Sequence, residues 1–407
     1  MEEAAARLRV PGAPPLETSL DPSGGRGPSK EGPILETTAT TDNASGRVVF
    51  APGAPAGFGE DVKRRVAEYF AERGLSPKAN ASMVLKTVIL FAVTFGAYAL
   101  ILTNQFTPWQ MLGLAVVMGA GIAGIGFGVA HDALHGAYSD KPWVNRILGY
   151  SFDLAGANGY MWRITHNVIH HTYPNVHGLD EDLEVSPLLR LSPQAERKPF
   201  HRYQHLYALA AYSLTTLFWV FVKDYRYFRM KDLGPFRDKR HEGKEIATLV
   251  VAKAVYYGWT IVVPLLVLDV AWWQFAIGFL AMHLTAGMIL GIVFQLAHVV
   301  EETEHPVPEP DGTMESAWMV HQMETTSDFA TSNRLLSWYV GGLNFQVEHH
   351  LFPKVCSVHY PAIHRIVRET AARHGVPHHR HETMREAVRS HLRTLKRLGS
   401  PEAPATS

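Results

Sequence analysis

Histidine is the residue in excess, 22 of 407, and several lie at spacings that can hold a metal. HDALH, residues 131–135, separates His131 and His135 by four positions, which on an α-helix stacks both imidazoles on one face. HNVIHH, residues 166–171, repeats that spacing with His166 and His170. On the same helix His171 turns about 100° away and can reach a neighbouring ion. His349 and His350 stand side by side behind Gln346 in GGLNFQVEHHLFP, and His298 lies in QLAHVVEE. Seven or eight imidazoles exceed the four ligands of a tetrahedral zinc site. They suit two first-row metal ions, each with several nitrogens and an open position for oxygen. Iron is the favoured metal, because an all-histidine, cysteine-free pair in a membrane suits oxygen activation.

The composition narrows the partners. Lys+Arg and Asp+Glu balance at 38 each, so nothing points to nucleic acid. The single cysteine, Cys356, excludes an intrachain disulfide framework and any cysteine-based zinc or iron–sulfur site. Residues 1–57 hold eight Pro, eight Gly and one aromatic, Phe50. Such a stretch buries too little apolar surface to offset its ordering entropy and reads as a disordered tail. It lacks the contiguous apolar core of a signal peptide. Ordered structure is expected over residues 58–398, opening with an amphipathic helix over 60–73, and a flexible tail over 399–407.

The elements that must position the histidines are apolar. Runs occur at 83–102, 109–130, 206–222, 246–268 and 270–297. The second is free of charge over 22 residues, long enough to span a bilayer. Segment 83–102 carries only Lys86 and 246–268 only Lys253, each close enough to a segment end to snorkel. A soluble core helix would show a polar stripe, and these show none. The chain is therefore expected to be an all-α, multi-pass integral membrane protein. Segment 206–222 is the exception, at only 17 residues, followed by eight Lys/Arg over 223–249. That basic loop marks the cytoplasmic side. With the region before it also facing the cytoplasm, 206–222 is expected to lie in the interface. Four crossings remain, about 83–102, 109–130, 246–268 and 270–297, and their parity puts all three clusters and His298 on one membrane face.

HDxxH, HxxxHH and QxxHH, in this order, resemble the membrane fatty acid desaturase superfamily, over about residues 84–395. GVAHDALHGAYS, WRITHNVIHHTYPNVHG, LAHVVEETE, HQMETTSDFATSN and GGLNFQVEHHLFP are similar to the front-end group, of the bacterial acyl-lipid delta-6 and linoleoyl-CoA desaturase type. The resemblance implies four transmembrane helices with a cytosolic helical cap carrying a histidine-bound di-iron site. It implies two Fe2+ ions held by His131, His135, His166, His170, His171, His298, His349 and His350. His349 and His350 would each serve one iron, and Gln346 would occupy the position of a further ligand, directly or through water. The implied reaction is oxygen-dependent insertion of a cis double bond on the carboxyl side of an existing one, in a fatty acyl lipid or acyl-CoA. Many eukaryotic relatives carry a fused haem domain with an HPGG motif, whereas His305-Pro306 here precedes Val307-Pro308. Electrons are accordingly expected from a separate donor, ferredoxin or cytochrome b5, with the basic loop 223–249 a candidate dock.

Beside the ligands, Asp132, Asp180, Asp182, Glu301 and Glu348 are candidates to accept the free imidazole N–H. His283 falls inside a crossing, where a neutral ring hydrogen-bonded to a neighbouring helix is expected. The HHRH run at 378–381 reads as a solvated loop or an adventitious metal site, and His177 and His321 as residues near the centre but outside it. Hydroxylases, ketolases and sphingolipid desaturases share the three clusters, so a different oxidation on the same scaffold is the alternative. A membrane metal transporter is the distant one, disfavoured because all the histidines but His283 sit beyond the helix ends.

Overall fold

A computed structural model describes residues 48–51, 57–183 and 187–401. Its long helices are set by local signals that the sequence carries in plain form. Helix α1 (Phe58–Arg73) is amphipathic and buries Phe58, Val62, Val66 and Phe70. In α2 (Ala81–Leu102) the Asn80 side chain caps the start, accepting from the Met83 N–H. The next helix, α3 (Pro108–Leu134), opens with a capping box between Thr107 and Gln110 and has proline in its first turn. With α4 (Pro142–Leu154), α5 (Gly159–Trp162), α6 (Pro199–Ser213) and α7 (Thr215–Arg229), the first half of the described helices is complete. In the second half, α8 (Gly243–Val267) and α9 (Trp272–His298) precede five shorter helices.

Four of these, α2, α3, α8 and α9, are long and apolar enough to cross a membrane. The chain is a mostly helical membrane protein. Helices α3 and α9 pack closely because small residues face each other: a Cβ at Gly119 would collide with the Met282 carbonyl. On the outer side of the bundle, the short turn after α2 and the turn before α9 are tied by Asn104. Its side-chain amide donates to the Val267 carbonyl at 2.8 Å, and its carbonyl accepts from the Asp269 N–H at 3.0 Å.

Segment 206–222 falls within α6 and α7, which bend by 60° at their junction. The bend rests on α9 at Gly287, where any Cβ would strike the Ser213 carbonyl. Just beyond it, the Thr216 hydroxyl donates to the His283 carbonyl at 2.8 Å. His283 itself is bracketed by Thr216 Oγ1 at 3.0 Å and Tyr256 Oη at 2.6 Å. It is the hydrogen-bonded intramembrane histidine expected from the sequence.

Two expectations fail here. Lys86 and Lys253 do not snorkel outward but turn into the bundle, at 6% and 4% exposure. Lys253 Nζ is satisfied there by Asp224 Oδ2 at 2.8 Å and by the carbonyls of Gly156 and Val220. A fully coordinated ammonium removes the reason to reach for headgroups.

The remaining elements form a polar-sided lobe. After β1 (Val49–Phe50) near the start of the chain, β2 (Thr313–Met314) pairs with it in parallel. The lobe continues through α10 (Trp318–Thr325), β3 (Ser327–Phe329), α11 (Arg334–Tyr339), α12 (Gln346–Leu351), α13 (Tyr360–His374), β4 (His379–His381) and α14 (Met384–Gly399). Its core packs α1 against α10, α12 and α13 through Val66, Met323, Val347, Leu351 and Val367. A second cluster joins the lobe to the bundle, with Phe127, Val293 and Leu296 against Phe329, Val340 and Leu343. Most of the segment expected as an N-terminal tail lies outside the described residues, as do residues 402–407 of the C-terminal one. Residues 48–51 depart from that expectation, because Phe50 stacks on Tyr173 and Tyr173 Oη donates to the Val48 carbonyl at 2.9 Å.

Candidate metal centre

The histidines converge where the C-terminal ends of α3 and α9 meet the lobe. His131 and His298 terminate those helices, and α12 supplies His349 and His350. The second cluster arrives on an unusual backbone. From Arg163 to His170 the chain is π-helical, and the His171 N–H reaches back five residues to the His166 carbonyl at 3.0 Å. Another π turn, Gly126–Ala130, runs directly into His131.

Two groups result. His131, His135, His166 and His349 bring one nitrogen each within 4.8 Å of one another, and so do His170, His298 and His350; His171 groups with His349 and His350 and so lies between the two. This division corrects the α-helical reading of HNVIHH, in which His166 and His170 would share an ion. His166 instead falls in one group and His170 in the other, although their rings stack at 5.0 Å. The residues of the centre are buried apart from His135, which is half-buried.

The donor chemistry fits metal. His135 Nε2, His166 Nε2, His170 Nε2, His349 Nε2, His350 Nε2 and both nitrogens of His171 are buried and make no hydrogen bond. Buried polar atoms are otherwise paired, so nitrogens aimed at common points are the signature of ligands. Burial, reinforced by repulsion among the rings, holds His171, His349 and His350 well below the ordinary imidazole range, and His166 is pushed down to about 3. They are therefore neutral, the form that binds metal.

The opposite nitrogens are fixed by outer partners. His166 Nδ1 donates to Asp182 at 3.0 Å and His170 Nδ1 to Asp180 at 2.9 Å. His349 Nδ1 pairs with Tyr360 Oη at 3.2 Å, His350 Nδ1 with Gln322 Oε1 at 2.8 Å, and His298 Nδ1 with the Thr325 carbonyl at 3.3 Å. Lys223 Nζ sits 3.2 Å from Asp182; against burial, Lys223 and then His166 hold that carboxyl below its usual range. Gln346 enters the second group, its amide 3.1 Å from His298 Nε2.

Of the five acids proposed as orienters, Asp180 and Asp182 take that role. Asp132 instead receives the N–H and hydroxyl of Ser357, at 3.1 and 2.8 Å. Glu301 pairs with Arg393, and Glu348 is directed to His364. Tyr360, Gln322 and Thr325 were missed, since nothing in their spacing ties them to a cluster. Asn175 was missed too: its amide donates to the carbonyls of His298 and Glu304, at 2.9 and 2.8 Å, and so locks the loop after HNVIHH to the end of α9. His321 donates to the Pro174 carbonyl and stays out of both groups.

A groove of about 650 Å3 runs between α4 and α8, lined by Phe91, Ile147, Leu154, Val251 and Val255, with Asp153 on its wall. Phe152, on the same helix, packs on Trp162 at 5.5 Å, and Trp162 stacks on His166 at 4.4 Å. Two aromatic rings thus connect the groove wall to the imidazoles.

An apolar bundle of four helices long enough to cross a membrane thus carries, at one end, buried imidazole groups that could hold metal. Residues 107–382 match the fatty acid desaturase family, and the chain belongs to that family, whose members are oxidoreductases that place double bonds in acyl chains. It is 34% identical to an sn-1 linoleoyl-lipid 6-desaturase of Synechocystis sp., over 84% of this chain and 96% of the relative. It is similarly 34% identical to the protein of that name from Arthrospira platensis, over 87% and 96%. An acyl-lipid (8-3)-desaturase of Physcomitrium patens is 33% identical, over 84% of this chain and 71% of the relative.

Proposed function

We propose that this protein is a front-end acyl-lipid desaturase that inserts a cis double bond on the carboxyl side of an existing one, in the manner of a delta-6 desaturase. The observation that carries the reading is the set of unpartnered buried imidazole nitrogens, divided into two groups and facing one another at the ends of two apolar helices. His131, His135, His166 and His349 would hold one iron, and His170, His298 and His350 the other. His171 would stand between them and Gln346 would supply a weaker ligand. When bound, the iron pair with O2 supplies the oxidising power that an unactivated methylene requires and no side chain can offer.

The chain's own residues perform the rest. Asp180 and Asp182 keep the Nδ1 protons of His170 and His166, which leaves their Nε2 lone pairs free for ligation. Lys223 balances the buried charge of Asp182. Trp162 and Phe294 flank the imidazoles and keep water from the reaction volume. The groove along α4 is assigned to the acyl chain, so that regioselectivity is set by the distance from a headgroup to the imidazoles. Orientation follows from the basic stretch 223–249, which favours the cytoplasmic side for the lobe and the centre, with α6 and the start of α7 in the interface. Electrons come from a separate carrier, ferredoxin or cytochrome b5.

Expression in a host supplied with linoleate, with double-bond positions read by mass spectrometry, tests the proposal. A new double bond between the carboxyl group and the existing bonds is expected. An unaltered acyl profile in the presence of a competent electron donor rejects it.

A further inference from the structure

A second polar cluster lies in the lobe, apart from both imidazole groups. It comprises Asp328 on β3, Glu348 on α12, His364 on α13, and His378 just before β4. Asp328 and Glu348 are fully buried, and the side chains of His364 and His378 are 11% and 8% exposed. The HHRH run, expected to be a solvated loop or an adventitious metal site, is partly interior: its segment 379–381 pairs in parallel with Ser327–Phe329. Asp328 is held in place by one oxygen, Oδ1, which accepts from the Val347 N–H at 3.0 Å. Its Oδ2 is buried and faces His364 Nδ1 at 3.1 Å, while Glu348 Oε2 and His378 Nε2 are buried and make no hydrogen bond. Two buried carboxylates side by side are costly unless a cation joins them.

The spacing suggests which cation. His364 Nδ1 lies 3.1 Å from Asp328 Oδ2 and 3.2 Å from Glu348 Oε1. His378 Nε2 lies 3.5 Å and 3.8 Å from the same two oxygens. Bonds of roughly 2.0–2.1 Å to a tetrahedral Zn2+ require ligand atoms about 3.3–3.4 Å apart. The four distances straddle that value. We propose that Asp328, Glu348, His364 and His378 form a closed, structural zinc site. Its donor set of two imidazoles and two carboxylates, without sulfur, leaves no open position for substrate, as in structural rather than catalytic zinc.

The four ligands come from four separate elements, so the ion cross-links β3, α12, α13 and the strand entering β4. Glu348 is the critical one, because it directly precedes His349 and His350. Fixing its carboxylate on one side of α12 fixes where the imidazoles on the other side point. The site does not depend on the desaturation reading, since it uses none of the residues assigned to iron.

Zinc per chain, measured on full-length protein purified in detergent without added zinc, tests the assignment. The wild type is expected to retain about one equivalent. A His364→Gln/His378→Gln variant is expected to lose it. Zinc X-ray absorption on the wild type supplies a readout independent of how the variant folds. The expected shell is four N/O ligands with two imidazoles. Absence of zinc, an equal zinc content in the variant, or a shell richer in imidazole would overturn the site. Zinc present in a protein that makes no new double bond would reject the proposed reaction and leave this site standing.

Discussion

Asp180 Oδ2 lies 2.9 Å from His170 Nδ1 and also accepts the Asn175 N–H at 3.0 Å, while its other oxygen takes the Asp182 N–H at 3.0 Å. One buried carboxylate thus sets the tautomer of a ligand and the path of the loop that returns to α9. Asp180→Asn keeps the shape but removes the charge that holds the imidazole proton. Iron affinity is expected to fall roughly 10–100-fold, read by titration against a chelator, with little change in the amount of membrane-inserted protein.

His170→Ala and His349→Ala each remove one proposed ligand from a different group. Both are expected to abolish double-bond formation and to lower bound iron, with membrane insertion intact. Tyr360→Phe, which takes away only the hydroxyl facing His349 Nδ1, should keep a measurable fraction of activity. Acyl profiles with immunoblots of the membrane fraction give the comparison, and full desaturation by either alanine variant would remove its residue from the ligand set.

Gly287 is where α9 admits the bend between α6 and α7. A methyl group there meets the Ser213 carbonyl, and the backbone must shift to accept it. Gly287→Ala is expected to cost ~1–3 kcal/mol, seen as a lower melting temperature in detergent. An unchanged melting temperature would mean that the two helices are not in close contact.

Asp153, on the groove wall, gives a pH signature. Burial, opposed by the Gly159 N–H, pushes its carboxyl from 3.8 up to about 7. The folded state then keeps a proton that the unfolded chain loses between those values. This group's contribution to stability accordingly falls as pH rises through that window and is level above it. Asp153→Asn should flatten this part of the stability profile and be relatively more stable at pH 8 than at pH 5. Parallel melting curves for the two proteins over that range decide it.

Much of this molecule could be read from its residues. The spans were legible because charge-free runs of bilayer length have few other uses, and α2, α3, α8 and α9 fall within a few residues of the expected crossings. The convergence of the histidines was legible because their four-residue and adjacent spacings recur in three clusters that the spans place at one end of the bundle. Their division into two groups was not, since it depends on how separate segments pack together, and the π-helical backbone at Arg163–His170 is announced by no residue in HNVIHH. Nor were Tyr360 and Gln322, whose pairing with His349 and His350 is created by tertiary packing alone. Lys253 misled for a related reason: a charge near a helix end implies headgroups only when no carboxylate awaits it inside.

Neither imidazole group is complete without α12, which contributes His349 to one and His350 to the other. A ribosome must therefore deliver all four spans and most of the lobe before either pocket can close. Loading of the proposed metal would in consequence be a late event in the life of the chain, following insertion rather than guiding it. Truncation upstream of Gln346 would leave a protein that reaches the bilayer yet never matures.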